Sequence, residues 1–363
     1  MTHRERLKRV FKCKEVDRMP IRIWGVSPVF LNENFKPLYE LVIKYDLESI
    51  EFWSPQFEEV SQPYLMENEE KIYGETKEVI TKIKTEKGDL IQIYRMKLDG
   101  SPGKIIKYFI EDINDAEKFL SLPVNMELPK IDSYFEFEKK IMERGLILIS
   151  IPEPMYSVHR MMGSEVFSYF LYDYREILHK MIEREFNRII NLVKYFLSKN
   201  IGDGFGYVGP EVCIPPLASL KDFKEFVFNY DKKIIDLIHN ENKLVWVHCH
   251  GDMAPVLEEF IKMGVDCLNP VEPPPVSKIT IREMKQISKG RMCLEGGVED
   301  SAFDLLTPDQ MKELVEKIIE EGKPNGGFIL CPTSTPNTWP KLLPKRIENY
   351  RIFVETSVKL RDY

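Results

Sequence analysis

Between Leu244 and Pro275, in LVWVHCHGDMAPVLEEFIKMGVDCLNPVEPPP, three side chains able to bind a metal or move a proton fall close together: His248, His250 and Glu272. In an extended strand side chains alternate faces, so Leu244, Trp246, His248 and His250 point one way and Val245, Val247 and Cys249 the other. Both imidazoles therefore converge on one side. Apolar residues at Met253, Leu257, Phe260 and Ile261 predict a helix over Asp252 to Met263, with Gly264 as its stop, and a second strand over Val265 to Glu272. Two consecutive strands joined by a helix lie parallel and share one C-terminal rim, which brings Glu272 to the histidines. Two neutral imidazoles and a carboxylate suit zinc or ferrous iron and leave a position open for water or substrate. Without the carboxylate, a His-x-His pair on a strand reads more readily as hydrogen-bonded rim or core residues.

The elements that must position this trio repeat along the chain. Strands starting near residues 21, 47, 146, 204, 244, 265, 291 and 327 are separated for the most part by helical segments, among them a long helix from Glu165 through Ile189 to Lys199. Eight parallel strands alternating with helices predict an α/β fold, the (β/α)8 TIM barrel, as one domain over residues 1–363. Residues 54 to 115 have a different texture, alternating apolar and polar with turns at Gly88 and Gly100, and predict an antiparallel β meander inserted near the N-terminus. An open parallel sheet with a dinucleotide site is disfavoured, since no G-x-G-x-x-G follows the first strand. In a barrel the chemistry sits at the C-terminal rim, so the strand-end residues Glu153, Glu211, His248, His250, Glu272, Glu295 and Cys331 are the candidates. Trp24, Trp53 and Glu153 are candidate substrate-binding residues. Arg22 suits either an anionic substrate or a local carboxylate.

Composition narrows the partners. A net charge of -7 with interspersed acids and bases offers no basic stripe for nucleic acid. The first twenty residues contain no apolar signal core, and no run of 18 apolar residues occurs, so neither export nor membrane insertion is expected. Six cysteines, at 13, 213, 249, 267, 293 and 331, form no C-x-x-C pair and fit reduced thiols in the cytoplasm.

Four segments carry a resemblance that spans nearly the whole chain: RERLKRVFKCKEVDRMP, IPPLASLKDFKEFVFNYDKKIIDLIH, HCHG and GGFILCPTSTP. Together they resemble the uroporphyrinogen decarboxylase superfamily. The resemblance implies a (β/α)8 barrel and one of two chemistries. In the decarboxylase branch, which needs no metal, two arginines hold the carboxylates of the tetrapyrrole; Gly25 and Val29 stand at those places here, and Ser334 stands where that branch has a histidine. The corrinoid-pathway methyltransferase branch is similar in using His-x-Cys, a later acid and a late cysteine for zinc. His248 matches its histidine, His250 replaces its first cysteine and Glu272 matches its acid. The late cysteine aligns with Ser334, and Cys331, three residues earlier, is a possible fourth ligand. Replacing thiolates by harder ligands favours polarising an oxygen over activating a thiol.

The expectation is thus a zinc- or ferrous iron-dependent methyltransferase that moves a methyl group between a small methylated substrate, such as an O-methyl compound, and a corrinoid protein. Glu211 or Glu295 would supply a proton to the leaving oxygen. The corrinoid must arrive on a partner, because the sequence contains neither Asp-x-His-x-x-Gly nor an added α/β domain. The rival expectations are a metal-free decarboxylase or lyase, and a tetrapyrrole- or corrinoid-binding protein without turnover. The oligomeric state, monomer or homodimer, stays open.

Overall fold

The computed structural model describes residues 1–55, 66–124, 128–337 and 341–363. Helices α1 (His3–Phe11) and α2 (Lys36–Lys44) precede strand β1 (Ile50–Trp53). Strands β2 (Met66–Tyr73), β3 (Thr76–Thr85), β4 (Gly88–Lys97) and β5 (Lys104–Lys107) follow and form an antiparallel sheet in that order. This is the expected insertion, apart from residues 56–65, which lie outside the described residues. Helices α3 (Ile113–Leu120) and α4 (Asp132–Ile141) lead into a regular alternation: β6 (Leu146–Ser150), α5 (Pro154–Asp173), α6 (Arg175–Ser198), β7 (Gly204–Val208), α7 (Leu220–Phe223), α8 (Asn229–Asn240), β8 (Leu244–His248) and α9 (Leu257–Met263). It continues through β9 (Cys267–Val271), α10 (Ile281–Ser288), β10 (Cys293–Val298), α11 (Ala302–Leu305), α12 (Pro308–Gly322), β11 (Phe328–Pro332) and α13 (Pro344–Leu360). Where one long helix was expected over 165–199 there are two, because Tyr174 takes a non-helical conformation between α5 and α6.

The parallel strands form one curled sheet in the order β1-β6-β7-β8-β9-β10-β11. The sequence predicts eight strands closing a barrel; among the described residues the parallel sheet has seven, and the eighth, expected at residue 21, is a single parallel bridge from Ile21 to Leu330. Arg22 N donates to Leu330 O at 3.1 Å on one side, and Glu48 N donates to Ile21 O at 3.0 Å on the other. A regular ladder fails here for local reasons. Pro20 has no N–H to donate. Five residues on, Gly25 turns the chain with φ +78°, and a Cβ there would lie 2.7 Å from Thr335 Cγ2. The resulting seam between residues 20–27 and β1 is held instead by Glu48, whose carboxylate accepts from Ile21 N at 3.1 Å and Arg6 Nη1 at 3.0 Å. On the β11 side Arg18 forms an antiparallel bridge with Asp362.

The strand alternation sorts two cores. Leu146, Leu148, Leu244, Trp246, Cys267, Cys293 and Ile329 face the concave side, where Leu7, Val10 and Phe11 of α1 pack against them. The other face, with Ile147, Ile149, Phe205, Val245, Val247, Leu268 and Leu330, packs against the helices. Among the described residues no helix is long and apolar enough to cross a membrane.

Candidate active site

The inward parity of β8 puts His248 on the concave side above Trp246, as the sequence predicts, and His250 follows just past the strand end. The two rings meet edge to face with centroids 4.6 Å apart. Strand register places His248 beside Asn269, and His248 Nδ1 donates to Asn269 Oδ1 at 2.8 Å. Trp24 from the seam segment covers the same imidazole at 4.7 Å, and Trp246 stacks on it at 5.8 Å. Burial against these rings outweighs the Asn269 hydrogen bond and holds the His248 pKa down to about 4, so the ring is neutral at physiological pH.

His250 is held differently. Its Nδ1 donates to Glu272 Oε1 at 3.0 Å, and Glu272 Oε2 accepts from Gly251 N at 2.9 Å. Burial alone would lower this imidazole's pKa, but the bond to Glu272 and its charge, reinforced by Glu211 and Glu299, carry it above its ordinary value. Two adjacent histidines thus have environments that drive their proton affinities apart.

Glu211 faces His250 from the turn after β7. Gly209 makes this turn with φ +124°, and a Cβ there would come within 2.2 Å of the Tyr156 ring. Gly209 N donates to Glu211 Oε2 at 3.1 Å. Burial raises the Glu211 pKa, with the charge of His250 acting in the opposite direction. The four residues His248, His250, Glu272 and Glu211 are therefore brought together at one rim.

The remaining expected residues lie elsewhere. Glu153 is 1% exposed and caps α5, accepting from Met155 N at 3.0 Å and from Tyr156 N, so its oxygens are turned from any substrate. Trp53 belongs to the helix layer, edge-on to Tyr134 and Phe196; its neighbour Phe52 faces inward against Trp246 instead. Glu295 is fully buried, 2.9 Å from Arg22 Nη1, and accepts from Trp246 Nε1 at 2.7 Å. Cys331 is also fully buried, and the charges that act on it are those of Glu295 and Arg22. Asn269 and Phe52 were not anticipated. An asparagine on the inward face of an apolar strand, in CLNPV, was the one available signal for the first.

Among the described residues no three His, Cys, Asp or Glu side chains are grouped to hold a metal ion. Glu272 is committed to His250 and Gly251, and Cys331 sits in the Arg22–Glu295 cluster. What fits a metal is the imidazole pair: both Nδ1 atoms are engaged, which directs each Nε2 to an incoming ligand. A carboxylate behind a histidine is the usual device that orients such a ligand.

A curled parallel sheet flanked by helices, with a histidine pair at the C-terminal rim, defines an α/β protein with a barrel-like scaffold and a rim site. Residues 132–344 match the uroporphyrinogen decarboxylase (URO-D) family, and the chain belongs to that family. Among solved structures it resembles a methyltransferase from Methanosarcina mazei, with a TM-score of 0.62 at 15% identity over 99% of both chains. A B12-independent methionine synthase from Shewanella sp. is similar over 83% of this chain and 76% of that one, at 11% identity and a TM-score of 0.44. No curated protein matches the sequence.

Proposed function

We propose that the protein is a methyltransferase of the URO-D family that moves a methyl group between a small methylated substrate and a separate corrinoid-bearing protein. The observation that carries this reading is the paired imidazoles, each fixed through Nδ1, with Glu272 behind one of them. The name of the M. mazei fold neighbour supports the reaction class. Zinc or ferrous iron would be held by His248 and His250, and when bound it supplies a Lewis acid that polarises the oxygen from which the methyl group departs. Glu272 orients His250. Glu211, with its raised pKa, retains a proton closer to neutrality and delivers it to the departing oxygen. Trp24 keeps water from His248. Glu295, Cys331, Trp53 and Glu153 have no part in this scheme. The six free cysteines accord with a cytoplasmic setting.

A metal-free lyase or decarboxylase is the second reading, favoured by one feature: the neutral His248 beside the more basic His250 is a ready base and acid. Metal analysis of untagged protein separates the two. Near-stoichiometric zinc or iron, lost in a folded His248→Ala variant, supports methyl transfer, which is then assayed with a reduced, unmethylated corrinoid as acceptor. Protein that takes up neither metal after incubation removes that mechanism and leaves the acid–base pair.

A further inference from the structure

The seam encloses a cavity of about 110 Å³, lined by Arg22, Trp24 and Gly25 on one side and Ser49, Glu51 and Phe52 on the other. It exists because residues 22–27 do not pair with β1. Arg22 is the unusual member. It is 2% exposed, and its contact with Glu295 at 2.9 Å lacks hydrogen-bond geometry, so Nη1 and Glu295 Oε1 both stay without a hydrogen-bond partner. Its Nε and Nη2 donate to none of the described residues. A buried guanidinium with its planar fork of donors uncommitted is a mismatch that an oxyanion resolves, because two parallel N–H bonds to a carboxylate satisfy the fork.

The opposite wall sets a second requirement. Glu51 carries a carboxylate, with Ser49 Oγ donating to its Oε1, so an anion entering the cavity must present a donor or positive charge on that side. Trp24 and Phe52 add aromatic rings to the lining, a setting compatible with a cationic nitrogen. The space limits size: an engineered protein cavity of roughly 150 Å³ holds one benzene ring, so this one takes about four or five non-hydrogen atoms. We infer that the seam cavity is a binding site for a short zwitterion, a glycine-sized molecule whose carboxylate lies on Arg22 and whose cationic nitrogen lies on Glu51. Since Trp24 also covers His248, the occupant sits one side chain from the imidazole pair.

Calorimetric titration of the full chain with glycine, acetate and methylammonium tests this. Glycine binds at least about tenfold more tightly than acetate or methylammonium, and Glu51→Gln removes that advantage by weakening glycine while acetate binding is retained or tightened. The paired variant Arg22→Met with Glu295→Gln, which strands no buried charge, abolishes binding of the carboxylates with its circular dichroism retained. If that variant does not fold, Glu51→Gln decides alone. No binding of glycine, or glycine binding that Glu51→Gln leaves unaltered, overturns the inference. The readout is binding, so it stands or falls separately from methyl transfer.

Discussion

Glu272 Oε1 lies 3.0 Å from His250 Nδ1 while its second oxygen takes the Gly251 amide, which makes the carboxylate a brace for the imidazole. Glu272→Gln keeps the shape and removes the charge. In chelator-treated protein, NMR titration will show the His250 pKa falling from its raised position, with His248 still titrating near 4. Metal affinity, measured by competition with a chromophoric chelator, drops roughly 10–100-fold.

Glu153 and Asp231 meet in the strand–helix layer beside Tyr207, and Cys213, which feels the charge of Glu153, is a neutral thiol held up by burial. Burial raises both carboxyls, Asp231 up to about 7, and the charge of Asp231 pushes Glu153 higher still, so Asp231 is the first of the two to ionise. A carboxyl whose pKa rises on folding contributes full stability below its unfolded value of 3.8 and loses it as pH climbs through about 7. Wild-type stability therefore declines across that window. Asp231→Asn keeps the shape without titrating, so its free energy of unfolding in urea stays flatter with pH and exceeds that of wild type at pH 8 by on the order of 2 kcal/mol. Parallel pH profiles for the two proteins would refute this.

The two tryptophans expected to wall the pocket separate on substitution. Trp53→Ala empties a 4%-exposed core position and costs about 3–5 kcal/mol in urea unfolding. Trp24→Ala uncovers His248 to water, and its pKa rises from about 4 toward the ordinary histidine value. A His248 titration unmoved by this change would show that other groups keep the ring dry.

Arg22 and Glu295 are buried opposite charges, so removing one strands the other. Arg22→Met alone costs about 3–5 kcal/mol, and adding Glu295→Gln recovers part of the loss. A double-mutant cycle in urea measures this coupling. Additive effects would mean that the pair contributes nothing.

Period-two alternation on β8 and a helix-linked parallel strand were enough to read His248, His250 and Glu272 as neighbours from the sequence. The role of Glu272 was not legible, because whether a carboxylate binds or braces depends on which oxygen meets which hydrogen. Glu295 and Cys331 were misplaced for another reason: a residue near a strand end can face inward yet sit below the rim, as both do beside Arg22. Ile50, Phe52 and Trp53 are all apolar, so composition could not say which faced the concave side. The missing eighth strand had a signal in Pro20 and Gly25, outweighed by the apolar run between them.

The segment that lines the seam is fixed by partners more than 300 positions away, Leu330 on one flank and Asp362 beside Arg18. During synthesis these residues emerge well before β11 and α13 and must wait for them before they can settle. Loop closure over so long a stretch comes late and slowly. Trp24 and Arg22 then reach the site only after β11 and α13 have formed, and a nascent chain becomes competent only when these distant segments have met.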